Sequence, residues 1–164
     1  MPAPYTIRRF KASDMDRVLE IERASFGKDA YDRKLFAEYE RKCGGLFLLA
    51  EGSRTVDGYS IACVSGKYSS LVKRGSLVRR NDLVASLESI AVDPRARDKG
   101  AASSLLKSTI RRLKLQGVHR ITLMVRRSNA VALQFYERRG FTAVRRAPGY
   151  YENGEEGLVM RLTL

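Results

Sequence analysis

A short basic turn between a strand and a helix carries the clearest chemical signal in this 164-residue chain. An apolar run that ends at Val92 precedes the turn, and a helix-forming segment starts at Gly100. Such a turn points backbone N–H groups and the positive end of a helix dipole at one place. Arg97 and Lys99 add charge, and Gly100 permits close approach of the backbone to a ligand. The turn therefore predicts a binding site for phosphate.

A second segment, residues 129–141, adds side chains that could act on a bound ligand. It places an amide at Asn129 and a phenol at Tyr136 on a predicted short helix that Gly140 ends. The sequence contains neither the Gly-Lys-Ser/Thr of a P-loop nor the triple-glycine fingerprint of a dinucleotide site. The predicted phosphate site therefore belongs to neither of these two common nucleotide-binding classes.

Hydrophobic periodicity predicts the elements that must position these segments. The predicted order is β-α-α-β-β-β-α-β-α-β-β, with a strand at residues 83–92 before the turn and a helix at residues 100–116 after it. This order indicates an α/β (mixed α+β) fold in one domain over residues 1–164, with helices packed on a mixed sheet. Residues 67–81 interrupt the pattern with five basic residues and no acid, and we expect an exposed, mobile loop there.

The charge of the chain is strongly positive and uneven. Thirty-one lysines and arginines oppose 18 acidic residues, which gives a formal net charge of +13. Residues 95–146 hold fourteen of the basic residues against only Asp98 and Glu137. Such a field suits a polyanionic ligand, an acidic partner or nucleic acid, and it is also typical of a solvated surface. Composition alone leaves these alternatives open.

Composition also limits the compartment and the chemistry. No apolar run approaches the roughly 18 residues that a membrane span needs, and the N-terminus lacks the apolar core of a signal peptide. We therefore expect a cytoplasmic protein that does not engage a membrane, with Cys43 and Cys63 both reduced. Because His119 is the sole histidine, zinc sites built on several histidines are excluded, and we expect no metal. His119 lies at a predicted helix-to-strand turn far from both motifs, so we expect a surface role for it rather than a Ser-His-Asp triad.

Together the two segments resemble the acetyl-CoA signature of the GNAT family of N-acetyltransferases. The family pattern Gln/Arg-x-x-Gly-x-Gly/Ala is matched by Arg97, Gly100 and Ala102. The second segment matches as Asn129-x-x-Ala132-x-x-x-Tyr136-x-x-x-Gly140-Phe141. The resemblance implies acetyl-CoA as donor. It also implies a GNAT-type fold, a central, mostly antiparallel sheet of about seven strands flanked by about four helices.

The resemblance also implies roles for the residues of both segments. Backbone amides of the turn would hold the pyrophosphate of CoA. The strand before the turn would pair with the pantetheine arm, to which Asn129 would also bond. The implied cofactor-binding residues are Ile90, Ala91, Val92, Arg97, Asp98, Lys99, Gly100, Ala101, Ala102, Asn129 and Tyr136.

Two further residues are candidates for proton transfer. Tyr136 is expected to act as the acid for the leaving thiolate, the alternative being a tyrosine that only packs under the cofactor. RimI-like members of the family carry a glutamate where this chain has Met124. We therefore expect Glu88, a lone acid on the strand that leads into the turn, to act as the general base. The alternative for Glu88 is an ion pair with a neighbouring arginine.

The acceptor is indicated by a resemblance to the RimI-like protein N-terminal acetyltransferases within the family. It rests on Ser89-Ile90-Ala91-Val92-Asp93-Pro94, on Val125-Arg126-Arg127-Ser128-Asn129 and on Tyr150-Tyr151 near the C-terminus. It implies acetyl transfer to the N-terminal α-amine of a protein or peptide, with Tyr150 and Tyr151 closing over the substrate. Two alternatives stay open. One is a lysine or small-molecule acetyltransferase, and the other is a degenerate domain that binds nucleic acid through its basic face.

Overall fold

The computed structural model describes residues 5–66, 68–73 and 76–164, and the predicted helices and strands are all present there. The helices are α1 (Met15–Phe26), α2 (Arg33–Cys43), α3 (Ala101–Leu115) and α4 (Ala130–Glu137). The strands are β1 (Thr6–Arg9), β2 (Phe47–Glu51), β3 (Val56–Ser65), β4 (Tyr68–Lys73), β5 (Ser76–Asn81), β6 (Val84–Val92), β7 (Arg120–Arg126), β8 (Thr142–Ala147) and β9 (Gly157–Thr163). None of these helices is long and apolar enough to cross a membrane.

Seven of the strands form one sheet in the order β1-β2-β3-β6-β7-β9-β8. The pairs β1–β2, β2–β3, β7–β9 and β8–β9 are antiparallel, whereas β6 and β7 are parallel and are connected through α3. A parallel pair needs such a crossover, and here a helix supplies it. The predicted fold class, a mostly antiparallel seven-stranded sheet with four helices, is confirmed.

The chain divides into two compact units. The first unit comprises residues 1–63 and 88–115, and the second unit comprises residues 64–87 and 116–164. Strand β6 contributes to both, because its residues up to Leu87 belong to the second unit and those from Glu88 onward to the first. The expectation of a single domain over residues 1–164 stays a prediction.

In the first unit, helices pack against both faces of β2, because successive side chains of a strand point in opposite directions. Phe47 and Leu49 belong to the buried cluster that α1 and α2 cover. Leu48 and Ala50 belong to a separate buried cluster with Leu105 of α3. The basic turn, which lies between β6 and α3, is thus held by elements that share this core.

In the second unit, alternation along β7 is equally regular. Ile121, Leu123 and Val125 are buried, and the residues between them are only partly so. Tyr136 of α4 and Phe141, which follows that helix, are also buried, with their ring centroids 5.4 Å apart. The short helix is therefore anchored by its last turn.

Cys43 and Cys63 form a disulfide, so the expectation that both are reduced is wrong. Cys43 is the last residue of α2 and Cys63 lies on β3, with their Cα atoms 5.0 Å apart. The two residues are 20 positions apart in sequence, and it is the packing of α2 against β3 that brings them together. The bond fixes the C-terminal end of α2 to the sheet.

Removing this disulfide with Cys43→Ser and Cys63→Ser is expected to lower the free energy of unfolding by about 3 kcal/mol, because the unfolded chain regains the freedom of the closed loop. For a chain of this size the corresponding fall in Tm is about 10 °C. Thermal unfolding of the oxidised protein, the dithiothreitol-reduced protein and the double variant measures the effect. Equal Tm values for all three samples would contradict a stabilising bond.

The expectation of a loop at residues 67–81 is also wrong, because β4 and β5 pair there as an antiparallel hairpin. Leu71 pairs with Val78 and Val72 pairs with Leu77 at the centre of the two strands. Aliphatic and β-branched residues favour extended backbone, and the high charge around them hides this preference in the sequence. Residues 67 and 74, two of the five basic positions, lie outside the described residues.

Candidate active site

Asp93 fixes the start of the basic turn in the first unit. Its Oδ1 accepts the backbone N–H of Arg95 at 2.9 Å and caps the single helical turn Pro94–Ala96. Its Oδ2 accepts hydrogen bonds from Arg95 at 2.9 Å and from Arg17 of α1 at 2.8 Å. These bonds, above all those from Arg95, hold the pKa of Asp93 well below its usual value. The buried carboxylate therefore stays charged at neutral pH and ties the turn to α1.

The second half of the turn contains two residues with positive φ. Asp98 and Gly100 have φ values of 63° and 89°, a region that glycine adopts readily and aspartate tolerates. The N–H of Ser104 bonds to the carbonyl of Gly100, and the N–H groups of Ala101 and Ala102 at the helix start have no partner within the helix. Arg97 and Lys99 are exposed, and Arg97 Nε donates to the carbonyl of Val92 at 3.4 Å. Backbone donors, a helix dipole and two cations thus meet in one short segment.

Strand β6 extends beyond its pairing with β7. That pairing runs from Val84–Arg120 to Leu87–Leu123, whereas β6 continues to Val92 and leads into the turn. In the described part of the chain, β6 from Glu88 onward therefore lies past the end of this ladder. A strand edge of this kind can pair with an extended ligand that carries amide groups.

Gly58 of β3 allows β6 to approach closely at this point. A Cβ at position 58 would lie 2.9 Å from the carbonyl oxygen of Ala91 and 3.2 Å from Cγ2 of Val92. It would also lie 3.4 Å from Cδ1 of Leu105 in α3. The first distance is too short for a side chain, so glycine at this position sets where the end of β6 lies.

Glu88, the predicted base, contacts helix α2. The hydroxyl of Tyr39 donates to Glu88 Oε2 at 3.5 Å, and Glu88 is partly buried. Burial and the Glu88 carboxylate both raise the pKa of Tyr39, so its phenol stays protonated. Glu88 therefore has a neutral hydrogen-bond donor beside it, and its role as base stays a prediction.

A row of polar side chains that the sequence analysis missed lies beside Glu88. Glu22 of α1 is 1% exposed and accepts the backbone N–H of Tyr31 at 2.9 Å. The hydroxyl of the fully buried Tyr59 donates to the other oxygen of Glu22 and lies 2.8 Å from Ser89 Oγ. The burial of Glu22 could have been predicted from its spacing. It lies four residues after the core residue Val18 and therefore on the same face of the helix.

In the second unit, Asn129 caps α4. Its Oδ1 accepts the backbone N–H of Ala132 at 3.1 Å. The exposed side chain keeps its NH₂ group as the part that could donate to a ligand.

Tyr136 is buried on the same helix, and burial raises its pKa above the usual value. A phenol in this state is protonated at neutral pH and can serve as a proton donor.

Tyr150 and Tyr151 lie in the connection between β8 and β9. Tyr150 is 57% exposed, and the guanidinium of Arg126 lies 3.9 Å from the ring centre of Tyr151. Arg126 also donates to Glu155 at 3.1 Å, and Glu155 accepts the N–H of Ser128 at 3.0 Å. Arg126 therefore fixes this connection to the end of β7.

Met124 occupies the position where the resemblance implies a glutamate, and its surroundings are apolar and tight. It pairs with Val159 of β9, and a Cβ at Gly157 would lie 2.7 Å from its Sδ. Glycine at 157 thus accommodates the methionine side chain. Met124 itself offers no group that could accept a proton.

The predicted site residues are distributed over both units. Glu88, residues 90–92 and residues 97–102 lie in the first unit, and Asn129, Tyr136, Tyr150 and Tyr151 lie in the second. Within each unit the local geometry suits the predicted chemistry, and the individual binding roles stay predictions.

Comparisons with known proteins agree with this geometry. The family model described as the acetyltransferase (GNAT) family matches residues 15–141. An N-alpha-acetyltransferase of Saccharolobus solfataricus is 31% identical over 157 residues, which are 95% of this chain and 91% of the relative. The crystal structure of Ard1 from Thermoplasma volcanium has the same fold, with a TM-score of 0.84 at 23% identity and 98% of each chain covered. The ribosomal-protein-S18-alanine N-acetyltransferase from Escherichia coli gives a TM-score of 0.76 at 26% identity, over 97% of this chain and 93% of that one.

The family match and the names of the relatives show that the protein is an acetyltransferase, an enzyme that transfers an acetyl group. The chain belongs to the acetyltransferase (GNAT) family, because the family model spans most of its length. The resemblance to RimI-like enzymes is confirmed by the similarity to the Escherichia coli structure.

Proposed function

We propose that this protein transfers the acetyl group of acetyl-CoA directly to the α-amine at the N-terminus of a protein or peptide. The observation that carries the proposal is the extension of β6 from Glu88 to Val92, past its pairing with β7 and into the basic turn. That segment offers a strand edge and then a phosphate turn in direct succession. These match the amide-bearing pantetheine arm and the pyrophosphate of a CoA donor. The names of two relatives, an N-alpha-acetyltransferase of Saccharolobus solfataricus and the ribosomal-protein-S18-alanine N-acetyltransferase of Escherichia coli, support a protein N-terminus as acceptor.

The donor would be held mainly by backbone groups. In this proposal Ile90, Ala91 and Val92 offer their strand edge to the pantetheine arm. The N–H groups at the start of α3, from Gly100 to Ala102, bond to the pyrophosphate, and Arg97 and Lys99 neutralise its charge. Asn129 adds a hydrogen bond from its NH₂ group, since its oxygen already caps α4.

The chemistry needs a neutral amine, an oxyanion donor and a proton for the thiolate. An α-amine has a pKa of about 7.7–8.0, so it loses its proton near neutral pH more easily than a lysine side chain. The N–H of Val92 would stabilise the oxyanion, and Tyr136 would protonate the thiolate. Glu88, on the strand that leads into the turn, would act as the base, and Tyr150 with Tyr151 would cover the peptide. The reaction as proposed uses no metal.

The close approach at Gly58 makes a specific prediction for donor binding. Gly58→Ala is expected to displace Ala91 and Val92, raising the KM for acetyl-CoA several-fold and lowering the free energy of unfolding by about 1–3 kcal/mol. Gly44→Ala is the matched control, because a Cβ there meets nothing within 4 Å. Steady-state kinetics and thermal unfolding of both variants test it. Equal KM values for acetyl-CoA in Gly58→Ala and wild type would contradict the assignment of this strand edge to the donor.

The proposed function is tested with acetyl-CoA and two matched peptides. One peptide has a free N-terminus and no lysine, and the other has a blocked N-terminus and one lysine. We expect CoA release and the mass of one acetyl group on the first peptide alone. Acetylation of the second peptide, or of small amines alone, would favour the lysine or small-molecule alternative.

The basic face is tested separately. Lys107, Arg111 and Lys114 are exposed along α3, a helix without an acidic residue, and we propose that they attract an acidic partner. If that partner is nucleic acid, its affinity must fall steeply as salt rises. Binding of an oligonucleotide and of an acidic peptide at two salt concentrations distinguishes the two partners.

A further inference from the structure

Glu22 is a buried carboxylate that the chemistry proposed above does not use. It is 1% exposed and lies in the apolar cluster between α1, α2 and the sheet. Within the described residues it has no lysine or arginine partner, and its two oxygens accept only from the Tyr31 N–H and the Tyr59 hydroxyl. Burying a carboxylate without a cation is unfavourable, so its presence in this core calls for a functional explanation.

The hydrogen bonds around Tyr59 have a defined direction. A phenol has one proton, and Tyr59 donates it to Glu22 Oε2. Ser89 must then be the donor in its 2.8 Å bond with the Tyr59 oxygen. The Ser89 oxygen keeps its lone pairs, so it can accept a further hydrogen bond. The hydrogen bonds thus run from Ser89 on β6 through Tyr59 to Glu22 in the core, and each donor points toward Glu22.

Ser89 lies on β6 directly beside the strand edge proposed to hold the donor. It lies past the end of the pairing with β7 and directly before residues 90–92, the strand edge proposed to hold the donor. It also follows Glu88, whose carboxylate contacts Tyr39. The acceptor nitrogen must come close to the thioester that this strand edge holds, so a group on the same few residues can reach it.

We propose that Ser89, Tyr59 and Glu22 form a path that takes the proton from the acceptor amine, with Glu22 as the final proton acceptor. The inference rests on the proposed function, because it requires an amine acceptor. Ser89 is the member that touches the amine, and Tyr59 and Glu22 are positioning residues that act through it. The path supplies the proton acceptor that Met124 cannot supply.

The proton transfer balances at each atom. The ammonium N–H gives its proton to Ser89 Oγ while the Ser89 proton moves to Tyr59 and the Tyr59 proton moves to Glu22. The amine nitrogen keeps the electron pair of the broken N–H bond and attacks the thioester carbonyl. The C–N bond forms, the C–S bond breaks, and the thiolate takes the proton of Tyr136, which the second amine proton then replaces on Tyr136. Glu22 then returns its proton to solvent by the reverse route.

The electrostatic surroundings are consistent with a carboxylate that can bind a proton. Burial raises the pKa of Glu22, and the hydrogen bonds from Tyr31 and Tyr59 oppose that rise. The pKa of Tyr59 is raised as well, by burial and by Glu22. Tyr31 lies close to both Tyr59 and Tyr39, and Glu88 on β6 contacts Tyr39. The Tyr59 phenol that bonds to Glu22 is thus protonated, and the carboxylate of Glu88 lies beside Tyr39.

The test compares pH profiles of kcat/KM for the free N-terminus peptide. Ser89→Ala and Glu22→Gln are expected to lose about 100-fold at pH 6, where the amine is charged, and less than about threefold at pH 9, where it is neutral. The KM for acetyl-CoA is expected to stay unchanged. Ser60→Ala is the matched control, because Ser60 is a fully buried residue of β3 that bonds to Thr109 instead. Its profile is expected to parallel that of the wild type.

Several results would overturn the proton path. One is a profile of Ser89→Ala that parallels the wild type at every pH, and this variant decides the matter even if Glu22→Gln fails to fold. Another is a pH-dependent loss in Glu88→Gln that is absent from Ser89→Ala, which would assign the base to Glu88 alone. A wild-type enzyme that acetylates no peptide N-terminus would overturn the proposed function together with the path.

Discussion

Replacing Tyr136 with phenylalanine is expected to lower kcat by about 100-fold while the KM for acetyl-CoA and for peptide stay nearly constant. The hydroxyl would be lost from the proton donor for the thiolate, and an interaction made only in the transition state affects kcat rather than binding. The ring would stay in place, because it packs edge-on against Phe135 and Phe141 with centroids 5.2 and 5.4 Å away. Steady-state kinetics with saturating donor measures the effect.

The control for Tyr136→Phe is Tyr5→Phe, which also removes one tyrosine hydroxyl. The Tyr5 hydroxyl donates to Asp57 at 3.0 Å, and neither residue has a proposed role in the reaction. Its kcat is expected to stay within about twofold of wild type.

Because burial raises the pKa of Tyr136, the wild-type enzyme should not lose this proton donor as the pH rises to 9. A Tyr136→Phe enzyme with wild-type kcat would show that the residue only packs.

Replacing Asp93 with asparagine is expected to lower the free energy of unfolding by about 2 kcal/mol, because Arg17 loses its buried charged partner and keeps only the exposed Glu20 as an ion partner among the described residues. The corresponding fall in Tm is about 6 °C. The KM for acetyl-CoA should rise as well, since Asp93 fixes the start of the proposed phosphate turn. Thermal unfolding and donor kinetics on one preparation measure both effects.

The pH dependence of the Asp93 effect has a definite sign. The pKa of Asp93 is lowered in the folded protein, so the stability it contributes is complete above its unfolded pKa of about 3.9 and is lost as the pH falls further. The difference between wild type and Asp93→Asn should therefore be constant near neutrality and shrink below about pH 4. Arg95→Ala is the control, because the Arg95 side chain is 83% exposed and should change Tm little. Equal losses in Asp93→Asn and Arg95→Ala would contradict the importance of the buried pair.

Features with a local cause could be predicted from the sequence. The strand, turn and helix around residues 83–116 follow from hydrophobic periodicity and from the glycine at position 100. Strand β7 and the short helix α4 follow likewise from the periodicity of their own residues, with Gly140 ending the helix. In each case the signal and the structure that it predicts lie within a few residues of each other.

The features that could not be predicted depend on residues far apart in the chain. Cys43 and Cys63 become a disulfide only when α2 packs against β3. The burial of Glu22 depends on Tyr59, 37 positions away, whose hydroxyl compensates part of the desolvation of the carboxylate. Arg126 finds Glu155 across 29 positions. Sequence patterns identify such residues as polar or charged, but the partner that gives each one its role is set by the tertiary fold.

The composition of the first unit has a consequence for synthesis on the ribosome. Leu48 and Ala50 are made early, but Ala101 and Leu105, which share their buried cluster, lie on a helix that ends about 50 residues after Cys63. At the usual rate of translation this delay is roughly 3–10 s. During that interval one face of β2 exposes aliphatic side chains, so nascent chains that have emerged from the ribosome only as far as Cys63 should be chaperone substrates. Chains that have emerged past Leu115 already contain the residues that cover this face.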